Sequence, residues 1–79
     1  MDEEALNQSI RRFLKMVGIR SQREIEQAVA KGLAERAISE KDTPFPATMR
    51  LHVESLGIDV TFDGEIDLAP RAPASGGDR

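Results

Sequence analysis

A chain of 79 residues suffices for one domain, and the absence of cysteine excludes disulfide stapling and thiolate metal sites. The formal charge of −3 is segregated. Residues 5–23 carry five bases and no acid, and residues 51–69 carry five acids and no Lys or Arg, runs that read first as solvated faces. The acidic start (Asp2, Glu3, Glu4) excludes a signal peptide, and no stretch approaches the ~18–20 uncharged residues of a membrane span, so a cytoplasmic location is expected.

Asp2 is placed to cap a helix, with Glu3 and Glu4 complementing the positive end of the macrodipole. Leu6, Ile10, Phe13, Leu14 and Val17 then recur at helical period. Gly18 follows where a helix favours a left-handed residue, so a first helix is expected from Glu3 to Val17. Ser21-Gln22-Arg23-Glu24 reads as a capping box opening a second helix. Ile25, Ala28, Val29 and Leu33 form its stripe, and its end falls between Arg36 and Ile38. Gly32 lies beside that stripe at a cost of about 1 kcal/mol relative to Ala, which close approach of another backbone would offset. The short Gly18-Ile19-Arg20 connection predicts a tight corner or hairpin of helices.

Ser39 to Pro46 reads as a polar linker, because Pro44 and Pro46 forbid helix and remove ladder donors. Met49, Leu51 and Val53 then alternate with polar residues, as do Ile58, Val60, Phe62, Gly64, Ile66 and Leu68, which predicts strands with one apolar face. Pairing Val53 with Ile58, Leu51 with Val60 and Met49 with Phe62 puts six apolar residues on that face and leaves a loop from Glu54 to Gly57. Asp63-Gly64 reads as a bulge or bend, or as part of a turn into a third strand. The expected fold is α+β: two N-terminal helices packed on a two- to three-stranded antiparallel sheet (ααββ). Residues 1–69 are expected to form a single domain, and residues 70–79 a disordered tail.

Few catalytic roles can be filled. His52 is the only histidine and sits on the polar side of the first strand. There is no nucleophile elbow, phosphate-cradling loop or helical histidine pair, so no enzyme activity, no cofactor and no metal are expected. Asp59, Asp63 and Asp67 partly match a calcium loop. Pro70 stands where the bidentate Glu belongs, and Val60 and Phe62 sit where polar residues are expected, so strand explains the segment better.

Two binding readings remain. The two helices and hairpin are arranged like a winged helix-turn-helix, in which Arg20, Gln22, Arg23 and Gln27 would face a nucleic-acid groove. Glu24, Glu26 and an acidic wing oppose that reading. The favoured reading is a non-enzymatic protein-interaction or self-association module. The end of the second strand, Glu65, Ile66, Asp67 and Leu68, lacks an evident partner within the chain and is the candidate site for strand addition.

The run from Ser9 through Ile10-Arg11-Arg12-Phe13-Leu14-Lys15-Met16-Val17-Gly18-Ile19-Arg20 to Ser21-Gln22-Arg23-Glu24-Ile25-Glu26-Gln27-Ala28-Val29, with Gly64-Glu65-Ile66, resembles a family of small uncharacterised bacterial proteins, a domain of unknown function. The resemblance spans nearly all of the chain before the tail. It implies a bacterial, proteobacterial source and brings no activity, cofactor or catalytic residue.

Overall fold

The computed structural model describes residues 1–70; the expected disordered tail lies, from residue 71 on, outside the described residues. The chain divides into two units, one ending at Ile38 and one starting at Ser39.

The first unit is a single helix, α1 (Glu3–Ala34), which corrects the expected pair of helices. At 1.5 Å per residue it is about 48 Å long. Asp2 opens it as anticipated: its carboxylate accepts the amides of Glu4 at 3.0 Å and Ala5 at 3.1 Å. No break follows Val17. Gly18 is an interior helical residue with nothing within 4 Å of a built Cβ, so it fills no close approach. Its cost of about 1 kcal/mol is smaller than the loss of the hydrogen bonds that a second N-terminus would leave unmade. The apolar stripe also stays in phase across the glycine, running Val17, Ser21, Ile25, Ala28 at helical spacing. The Ser21 box is a permitted start that the chain does not use.

The helix ends at a left-handed residue, but that residue is Arg36, at φ 59. Ala37 donates its amide to the Gly32 carbonyl at 2.8 Å, and Arg36 donates to Leu33 at 3.1 Å, the two bonds of a Schellman cap. Ile38 then folds over Gly32, where an added Cβ would stand 2.9 Å from its Cδ1 and Cγ1. Gly32 is therefore small to admit a side chain of its own unit, not a passing backbone.

In the second unit the expected linker is locally ordered. Glu40–Asp42 forms a 3₁₀ turn with a true capping box, in which the Ser39 hydroxyl accepts the Lys41 amide at 3.2 Å and the Asp42 carboxylate accepts the Ser39 amide at 2.8 Å. Strand β1 (Phe45–Val53) and strand β2 (Ile58–Ile66) form a two-stranded antiparallel sheet, joined by a 3₁₀ turn (Glu54–Leu56) and Gly57 at φ 66. The pairs Val53–Ile58, Leu51–Val60 and Met49–Phe62 stand in the expected register. That register continues unbroken to Ala47–Gly64, Pro46–Glu65 and Phe45–Ile66. Asp63-Gly64 is therefore neither a bulge nor a turn, and no third strand occurs among the described residues. Pro46 is tolerated because in a two-stranded ribbon every strand is an edge, where a missing donor can face outward. The architecture remains α+β: one long helix, then a ribbon.

Candidate functional site

Neither unit encloses a core of its own: no described residue is buried. The stripe of α1 is built from Leu6, Ile10, Phe13, Leu14, Val17, Ser21, Ile25 and Ala28, and Leu33 stands off this face. Phe13 is 46% exposed and Leu14 53%. Helical period alone aligns these side chains along one face, since each successive turn returns to nearly the same direction. The ribbon gathers its own apolar face from five cross-strand pairs: Phe45–Ile66, Ala47–Gly64, Met49–Phe62, Leu51–Val60 and Val53–Ile58. Met49 and Val60 remain about half exposed, and Phe62 is 55% exposed at the centre of this face. Each unit thus carries a row of large, half-exposed apolar groups.

The opposite ribbon face is polar. Arg50 grips Asp59 with two bonds, Nε to Oδ1 at 2.8 Å and an Nη to Oδ2 at 2.9 Å. The guanidinium holds the Asp59 carboxyl below the usual carboxylate range, and Asp59 in turn raises Arg50. His52 stands opposite Asp59 in the ladder, but that carboxylate is already committed to Arg50. Asp59 and Asp63 lie in extended strand, so the chain does not wrap there as a calcium loop would. Among the described residues no group of three or more His, Asp or Glu is placed to hold a metal ion.

Of the strand-addition candidates, Glu65 and Ile66 lie in the ladder, opposite Pro46 and Phe45, while Asp67 and Leu68 follow the end of β2. Ile66 and Leu68 are half-buried. Glu65 and Asp67 line an open depression with Glu40, Thr43, Pro44, Ala69 and Pro70. The four groove-facing candidates lie in mid-helix. Arg20, Gln22, Arg23 and Gln27 have no turn before them, and Gln22 donates to the Glu26 carboxylate at 3.0 Å. A helix-turn-helix presents the start of a separate second helix to the groove, and α1 runs through these residues without one. The uninterrupted phase of the stripe through Gly18 was the signal that joins the two helical segments into one surface.

Among the described residues no helix is long and apolar enough to cross a membrane. A model of a family described as "Family of unknown function (DUF6494)" matches residues 1–69. No curated protein and no solved structure matches the chain.

Proposed function

The chain belongs to this family of unknown function, and we propose that it is a non-catalytic association module whose apolar faces are covered by a protein partner. One observation carries the reading: two contiguous apolar rows, one on α1 and one on the ribbon, in a chain with no buried residue among those described. A two-stranded hairpin is marginal in water by itself, so the ribbon in particular gains from being covered. Binding of a partner to the folded form alone stabilises that form by mass action. One histidine, no cysteine and no arranged nucleophile support a non-enzymatic role. A bacterial, cytoplasmic setting belongs to the same reading, supported by the sequence resemblance and the cysteine-free composition.

The test is hydrogen exchange together with binding of an apolar-surface dye, followed over dilution. The expected result is that dilution exposes the α1 stripe and the Met49–Phe62 face to dye while the strand amides lose protection. Concentration-independent protection with no dye binding at any dilution would show the faces to be covered within one chain, and would end this reading.

A further inference from the structure

Apart from Phe13, the residues of the α1 stripe fall into series spaced by eleven. Leu6, Val17 and Ala28 form one series, Ile10, Ser21 and Gly32 a second, and Leu14 and Ile25 a third. An eleven-residue period sits close to the natural winding of the helix, so the stripe runs nearly straight along α1 and can meet another straight helix over its full length. The first two series taper: Leu to Val to Ala, and Ile to Ser to Gly. Along these two series the amino half of α1 is thick and the carboxyl half thin, up to Gly32, where Ile38 fills the space.

A tapered seam has one self-complementary solution. Resting on the association reading above, we propose that the occupant of the stripe is α1 of a second copy of this chain, laid antiparallel, with Val17 opposite the partner's Ser21 and Ile10 opposite the partner's Ala28. The same register sets Leu14 against Ile25 and brings Leu6 to Ile38, which fills the place over Gly32. Ile10 and Val17 each meet a small residue, in line with the demand for close packing. A parallel pair would set Leu6 and Ile10 against their own copies at one end and Ala28 and Gly32 at the other, a wedge that opens along its length. The antiparallel choice also sets the two macrodipoles head to tail. Covering the half-exposed stripe residues of both copies removes on the order of 1,200 Å² from water, the size at which stable interfaces begin. Between Leu6 and Gly32, Glu24 is the one acid in the seam. It lies at its margin beside the partner's Phe13, where its carboxylate can still reach water.

The chain has no cysteine, so single substitutions label the seam unambiguously. Chains carrying Ile10→Cys and Ala28→Cys are mixed and oxidised gently. Alongside, the mass of the unmodified protein is measured by sedimentation across concentration, with dye binding at each point. A dimer that yields the mixed Ile10→Cys/Ala28→Cys disulfide in preference to either homodisulfide is the expected result, since two copies of residue 10 would lie about 27 Å apart along the axis. A size swap checks the register: Ala28→Leu alone weakens the dimer roughly tenfold, and adding Ile10→Ala to the same chain restores most of the loss, with helix content unchanged. Homodisulfides alone, or no rescue by the swap, would overturn the antiparallel pairing while leaving the association reading intact. A monomer at all concentrations whose stripe binds dye would overturn the second copy as occupant and leave a different protein partner. A monomer that binds no dye would overturn both.

Discussion

The helix and the ribbon reach order by opposite routes. Every interior hydrogen bond of α1 closes within four residues, and its ends are capped by Asp2 and by the Arg36–Ala37 turn, so its structure is local and its length exceeds the ~12–15 residues at which isolated helices become marginal. The ribbon depends on pairs as distant in sequence as Phe45 and Ile66, and each pair must be brought together at an entropic cost before it contributes. What they share is an apolar face that neither covers alone. A helix of this length needs no other element for its backbone bonds, whereas a two-stranded ribbon is marginal in water by itself.

The sharpest way to break this comparison is Gly18→Pro. Proline in the interior removes a hydrogen bond and clashes with the preceding turn, a cost of about 3 kcal/mol or more. Helical circular dichroism should fall, and the backbone shifts of residues 14–22 should move. The β1–β2 cross-strand contacts should persist, because the ladder lies wholly between residues 45 and 66. Loss of those contacts on breaking α1 would show that the ribbon's order is not its own.

Glycine chemistry sharpens the contrast. Gly57 closes the ribbon at φ 66, in the left-handed region, and Gly57→Ala should cost about 1–2 kcal/mol in denaturant unfolding. Gly18 lies in open helical surroundings, and Gly18→Ala should stabilise by up to about 1 kcal/mol. Equal signs for the two substitutions would contradict the backbone assigned to one of them.

The same two glycines explain what was legible in the sequence. Alternation in a ribbon has only two phases, and a slip of one residue would turn Val60 and Phe62 to the polar side, so facing alone selected the register of Met49, Leu51 and Val53. A helix start has no such veto. Gly18 and Ser21-x-x-Glu24 permit an end and a beginning without requiring either, and the in-phase stripe across them outweighs a weak local preference. The genuine cap signals were less conspicuous: Arg36 takes the left-handed place that glycine usually holds, and the box at Ser39 closes on Asp42 rather than Glu. For the candidate site, the individual apolar residues were legible. The single continuous face was not, because reading two helices split it at Gly18. The expectation that Glu65 and Ile66 lack a partner came from treating Pro46 as the end of pairing. In the two-stranded ribbon of the described residues it is only an edge position.

A smaller effect tests how locally α1 is specified. Asp2→Ala removes the acceptor of the Glu4 and Ala5 amides and should cost about 1 kcal/mol, read as fraying of the first turn in amide exchange, while residues beyond Ile10 and the entire ribbon stay unchanged. Asp2→Asn should retain most of the cap, since its side-chain oxygen accepts the same bonds. A change spread along all of α1 would show that the helix depends on its end more than its length implies.

The smallest effect belongs to the polar face of the ribbon. The Arg50–Asp59 pair is bidentate yet mostly exposed to water, so its worth to stability is slight. Its titration is nevertheless distinctive. Arg50 favours the ionised form of Asp59, so the carboxyl of the folded chain titrates below that of the unfolded chain. A group with a depressed folded-state value adds its stability above the unfolded aspartate range, near pH ~3.9, and loses it as pH falls through the folded value. Following the Asp59 side-chain carbon by NMR should therefore show a midpoint below the ordinary aspartate range. Arg50→Gln should return that midpoint to the ordinary range, and so should high salt in part, because exposed pairs are screened. Identical midpoints in the two chains would mean that the two side chains do not hold each other in solution, and that cross-strand register rests on the apolar face alone.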